Sequence, residues 1–184
     1  YYLEEYNKTI ELFNKSLVYS TQTKDTSALI FGYNVIGLSN LKLDNIDTAK
    51  KYLKLSITFA ELINDERSLG DGYNNLGLIY LKKKEYQLAL NKFNNALILI
   101  RKNNDLRQVP IILTNIGEAY KQLNQFDEAI TNFKESKYLA QMSKNKNAAL
   151  IANKNLYKTY EELEQFDSAF IYLKQFEKIN SELI

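Results

Sequence analysis

The chain has 184 residues, 45% hydrophobic and 25% charged, with a net charge of +2. This is an ordinary globular composition, long enough for one sizeable domain. So small a charge supplies no basic stripe for nucleic acid, and no stretch nears the ~18 apolar residues of a membrane span. The chain has no cysteine and no histidine, which removes disulfides, thiolate metal sites, the commonest zinc ligand and the commonest general base.

A single proline and six glycines leave little turn punctuation, which favours long helices over a sheet. Residues 1–24 open with YYLEEYNKTIELF, which aligns with LKKKEYQLALNKF at 81–93, so that Tyr6 matches Tyr86 and Phe13 matches Phe93. This segment is expected to be the second helix of a repeat whose first helix is missing, and the chain to be part of a longer protein.

Residues 25–64 form the first whole unit. From Gly37, the residues Asn40, Ile46, Ala49, Leu53 and Ser56 follow at offsets of 3, 9, 12, 16 and 19. Residues 65–104 repeat those offsets from Gly77 with Tyr80, Tyr86, Ala89, Phe93 and Ala96. Residues 105–144 repeat them from Gly117 with Tyr120, Phe126, Ala129, Phe133 and Ser136. Residues 145–184 repeat them from Tyr157 with Tyr160, Phe166, Ala169, Leu173 and Phe176. The four origins are 40 residues apart. Any helical bundle shows apolar spacing near 3.6, but an unrelated bundle has no reason to keep so long an interval.

Asp25, Asp65, Asp105 and Asn145 stand 12 residues before the origins, where their side chains would cap a first helix. Asp47, Gln87, Asp127 and Asp167 stand 10 residues after, and the three aspartates are able to cap a second helix. Each unit is therefore predicted to be two helices of roughly 17 residues joined by short turns. Pro110 falls in the first turns of one helix, where a lost N–H costs least.

The stretches NNLGLIYLKKKEYQLALNKFNNAL at 74–97 and TNIGEAYKQLNQFDEAITNFKES at 114–136 carry the pattern small-x-x-Tyr, aromatic, Ala, Phe, small. This pattern resembles the tetratricopeptide repeat family. The resemblance covers nearly the whole chain, as four units and a half. These units exceed the usual ~34 residues and look like the long-helix branch seen in peptide receptors and regulators. The resemblance implies an all-α, right-handed superhelical solenoid of antiparallel helix hairpins. It also implies a protein- or peptide-binding scaffold rather than an enzyme, with no cofactor, and first helices lining a concave groove. Tyr157 departs from the pattern where the other units have Gly. Phe176 departs where they have Ser or Ala, a slot that in the family faces the next unit's first helix.

Along that expected groove, the row two before each origin holds Val35, Asn75, Asn115 and Asn155. It resembles the asparagine ladders that clasp an extended peptide, since one amide offers both a donor and an acceptor. The same amides would equally suit bonds between neighbouring helices. The row three before each origin holds Asn34, Asn74, Thr114 and Lys154, and the row one after holds Leu38, Leu78, Glu118 and Lys158. Lys154 and Lys158 resemble half of the family's carboxylate clamp; the other positions are Asn or Leu, so binding of a free C-terminus is not expected. Leu38, Leu41, Leu78 and Leu81 would make the first two units more apolar than the last two.

No phosphate-cradling glycine loop is present. The acidic run EELEQFD at 161–167 reads as a solvated turn with capping residues. The expected partner is another protein or an extended peptide, with no nucleic acid contacted and no membrane span in this segment. Lysine outnumbers arginine and asparagine is abundant, which points to an AT-rich bacterial genome. The ending FDSAFIYLKQFEKINSEL resembles the last repeat of bacterial regulators, so a sensor or interaction segment of a larger signalling protein is expected. The cytoplasm is favoured, with the periplasm the alternative for a membrane-anchored parent. The structural alternative is a scaffold that self-associates as a homodimer through Ile171, Tyr172 and Phe176. Ile171 stands where other units have Lys51, Asn91 and Thr131.

Overall fold

The computed structural model describes residues 2–103 and 107–183. These form nine helices and no strand: α1 (Tyr2–Thr23), α2 (Thr26–Lys42), α3 (Ile46–Leu62), α4 (Glu66–Lys82), α5 (Tyr86–Lys102), α6 (Val109–Gln122), α7 (Phe126–Met142), α8 (Lys146–Glu162) and α9 (Phe166–Ser181). α2 to α5, α7 and α8 each have the expected 17 residues. Among the described residues, no helix is long and apolar enough to cross a membrane.

The 40-residue interval is two steps of 20, each a helix and its turn. A left-handed residue stands in each described turn: Lys24, Asp44, Asn64, Lys84, Asn124, Lys144 and Glu164, with φ between 53° and 65°. The next residue's N–H then reaches back five residues, as from Glu85 to the Tyr80 carbonyl at 2.9 Å, and the left-handed residue itself bonds back to a closer carbonyl. This is a Schellman closure, which satisfies the last carbonyls of the helix. None of these residues is glycine, so each bears a Cβ in a region that costs about 1–2 kcal/mol.

The first-helix caps form as expected. Asp25, Asp65 and Asn145 accept from the N–H groups of Ala28, Ser68 and Ala148 at 3.0, 3.1 and 3.0 Å. Asp105 lies outside the described residues. α6 starts only at Val109, with Pro110 in its first turn and no side-chain cap from Gln108, so it has 14 residues rather than 17.

The second helices correct the sequence reading. Asn45, Gln125 and Gln165 occupy the cap positions of α3, α7 and α9 and make no side-chain cap bond. Asp47, Asp127 and Asp167 lie inside the first turn, and Gln87 likewise lies inside α5. The Schellman closure makes the turn so short that the next helix begins before the aspartate. There the acid favours the positive end of the helix dipole instead of capping it.

The described residues fall into two compact units, Tyr1–Leu99 and Ile100–Ile184. In the first, α2 packs against α1 and α3, and also against the next first helix, α4. In the second, α6, α7, α8 and α9 pack in succession, and α6 also meets α8. The backbones of α7 and α9 do not approach each other, and they meet only through side chains such as Lys137, whose Nζ lies over the Tyr172 ring at 4.8 Å. First helices therefore meet backbone to backbone within each unit, while α7 and α9 are joined only by long side chains. Leu41 is buried with Ala49, Leu53 and Leu76. It is not a surface residue as the sequence reading supposed, because it stands one turn beyond Gly37 on the same buried side of α2.

Candidate protein-binding faces

In the first unit, Phe31, Asn34 and Leu38 are spaced three and four apart on α2, and Asp71, Asn74 and Leu78 are spaced likewise on α4. Each set forms one ridge. Asn75 is buried, and its Nδ2 donates to Asn34 Oδ1 at 2.8 Å across the two helices. Asn74 Nδ2 lies 3.4 Å from Asn75 Oδ1. Three of the asparagines singled out by sequence thus meet in one chain of amides, with Asn75 joining the helices while Asn34 and Asn74 are half-buried. Val35, Leu38 and Leu78 are half-buried, and Leu78 packs against the core.

Sequence reasoning missed two features of this face. Phe31 is 60% exposed, its ring edge-on to Phe13 at 5.6 Å. Beside it, Asn34, Asp65, Ser68 and Asp71 line a cavity of about 170 Å³. Burial pushes the Asp65 carboxyl up, but the Ser68 hydroxyl at 2.6 Å and the Ser68 N–H outweigh it and hold the group below its ordinary value.

In the second unit, the slot of Phe31 is filled by Ile111 on α6 and Ile151 on α8, which are 46% and 47% exposed. Large apolar residues at three of the four positions six before the origins were the available signal. Asn115 and Asn155 are half-buried on the same two helices, and Lys154 and Lys158 are exposed one turn apart on α8. Lys121 pairs with Glu162 at 2.8 Å, tying α6 to α8.

The terminal helix divides its apolar residues. The Tyr172 ring stacks on Tyr160 at 5.6 Å, and the Phe176 ring tilts against Tyr157 at 5.8 Å, both within the last hairpin. Ile171 is 55% exposed, with Phe166 and Phe170 also exposed. In the slot of Phe176, Ser56 donates to the Ile30 carbonyl at 2.9 Å and Ser136 to the Pro110 carbonyl at 2.6 Å. The slot therefore faces the first helix of its own hairpin, where a buried hydroxyl finds an acceptor and a phenyl ring finds Tyr157.

Residues 68–137 match the family model described as tetratricopeptide repeat, a stretch holding the origins Gly77 and Gly117. Those residues carry tetratricopeptide repeats. No curated protein matches the sequence. Among solved structures, BtubC (BKLC) from P. vanneervenii is similar at a TM-score of 0.82 and 16% identity, over 97% of this chain and 74% of that one. A putative kinesin light chain of Podosopora anserina with nearly identical TPR-like repeats is similar at 0.72 and 13%, over 99% and 91%. A signal transduction ATPase with a tetratricopeptide repeat sensor from Pyrococcus horikoshii is similar at 0.73 and 21%, over 93% of this chain and 28% of that one. At these identities the likeness establishes the fold, an all-α solenoid of helix hairpins. Tetratricopeptide repeats are generally non-catalytic scaffolds that bind other proteins or peptides.

Proposed function

We propose that this chain holds an extended segment of another protein against the first-helix side of each unit, as the sensing or interaction part of a larger signalling or regulatory protein. The observation that carries the reading is the make-up of the first helices. Exposed Phe31, Ile111 and Ile151 stand on the same ridges as the half-buried amides of Asn34, Asn115 and Asn155, and Asn74 is half-buried on the corresponding ridge of α4. Apolar anchors supply burial, and amides match a peptide bond without reading its side chains. Lys154 and Lys158 suit a partner's carboxylates in the second unit, while Asp65 and Asp71 suit a basic side chain in the first. The repeats of the similar Pyrococcus horikoshii ATPase form its sensor, which supports the signalling part of the reading. The test uses peptides selected by phage display against this chain. Asn115→Ala with Asn155→Ala is expected to weaken them by about 0.5–1.5 kcal/mol for each hydrogen bond lost, and Phe31→Ser should weaken those that reach the first unit. Selected peptides indifferent to both changes rule the reading out.

Self-association is the second reading, favoured by the exposure of Phe166, Phe170 and Ile171 on α9. Light scattering on this chain is expected to give a dimer that Ile171→Lys converts to a monomer. A monomeric unsubstituted chain at high concentration removes the idea.

A further inference from the structure

The slot four residues before each origin holds Tyr33, Tyr73, Leu113 and Asn153. In the first hairpin the Tyr33 ring stacks on Phe59 at 5.7 Å and lies 6.1 Å from Tyr52. In the second, the Tyr73 hydroxyl reaches Glu61 at 3.4 Å. In the last hairpin the ring is replaced by a short amide, and Asn153 lines a cavity of about 600 Å³. The repeat equivalents of the tyrosines' partners line it too: Ile179 stands in the slot of Phe59, and Gln141 in the slot of Glu61. The void therefore occupies the place of a tyrosine ring in the first two hairpins.

Asn153 is fully buried. Its Nδ2 donates to the Ala149 carbonyl at 2.8 Å, whereas its Oδ1 has no partner among the described residues. A buried acceptor left unmet costs about 1–3 kcal/mol, so the site lacks a donor. The walls come from α7, α8 and α9 and carry Lys137, Lys144, Lys146 and Lys178 against one acid, Glu182. Glu182 is engaged by Lys146 at 2.9 Å. Burial, reinforced by nearby Lys134, pushes the Lys137 ammonium below its ordinary value, and its Nζ lies over the Tyr172 ring at 4.8 Å. Ala140, Ala149 and Ile179 give the cavity an apolar surface. An apolar hollow with a few convergent polar groups is the usual form of a small-molecule site. It lies between the second helices α7 and α9, away from the first-helix ridge of Ile151 and Lys158.

We propose that this cavity binds a small aromatic acid bearing a hydroxyl group, its ring in the space left by the absent tyrosine, its carboxylate toward the lysines and its hydroxyl donating to Asn153 Oδ1. The site is independent of the peptide-binding faces. Calorimetry with 4-hydroxybenzoate, phenol and cyclohexanecarboxylate tests it. The hydroxy acid is expected to bind saturably and the other two at least about tenfold more weakly, phenol for want of the carboxylate and cyclohexanecarboxylate for want of the aromatic ring and the hydroxyl. Asn153→Tyr restores the residue of the first two hairpins and should abolish binding while retaining the helical circular dichroism spectrum. Should that variant fail to fold, Asn153→Leu, the residue type of the third hairpin, takes its place with the same expectation. Lys144→Gln with Lys178→Gln should weaken the acid and leave phenol unchanged. Absence of saturable binding by 4-hydroxybenzoate, equal binding of phenol, or binding that survives filling of the cavity each overturns the proposal.

Discussion

A Cβ on Gly77 would lie 2.5 Å from Cε1 of Phe93. Gly117 stands to Phe133 in the same way, at 2.5 Å, and Gly37 to Cγ of Leu53 at 2.6 Å. The glycine at each of these three origins is thus the small half of a contact whose large half comes 16 residues later. In isolation, Gly→Ala would favour a helix by about 1 kcal/mol. Here the added methyl must displace a fully buried ring, and overpacking of this kind costs about 1–3 kcal/mol. Gly77→Ala should therefore destabilise the protein, whereas in a Phe93→Ala background the same change should be neutral or favourable. Denaturant unfolding of the four proteins in this cycle measures the coupling, and additive effects would rule the contact out as the reason for glycine.

The left-handed turn residues give a prediction of opposite sign. Lys84 has φ 61°, is exposed, and stands at the end of α4. Lys84→Gly removes a cost of about 1–2 kcal/mol and adds an unfolded-state entropy cost of about 0.5–1 kcal/mol. A net gain of up to about 1.5 kcal/mol should appear as a raised denaturant midpoint. A loss would mean that the Lys84 side chain contributes more than its backbone costs.

Asp65 links a helix cap to pH. Its folded carboxyl titrates below the ordinary value of 3.8 because the bonds from Ser68 outweigh burial. Its contribution is therefore present above that value and is lost as the pH falls through the lower folded one. Asp65→Ala should cost about 1 kcal/mol at neutral pH, as loss of a cap does. The gap between variant and parent should close under acid conditions below the ordinary Asp range. A gap constant down to the lowest pH at which the parent stays folded would show that the carboxylate does not act through its charge.

The repeat was legible from sequence because its causes are local and recur. Three first-helix caps, the glycine origins and the large residues opposite them each answer a requirement of one hairpin, so each returns at the same interval. Helix class and helix length follow from those signals alone. The details set by closure of the chain were not legible. The Schellman turns, built on lysine, aspartate, asparagine and glutamate rather than glycine, start the second helices early enough to place Asp47, Asp127 and Asp167 inside them. The candidate faces divided in the same way. A row of asparagines is visible in sequence, but only the approach of α2 to α4 decides that Asn75 spends its amide on Asn34. Nor does any single residue announce the cavity beside Asn153. It exists because three helices surround a place where two other hairpins put a ring, and a missing side chain becomes a volume only once its neighbours are held in position.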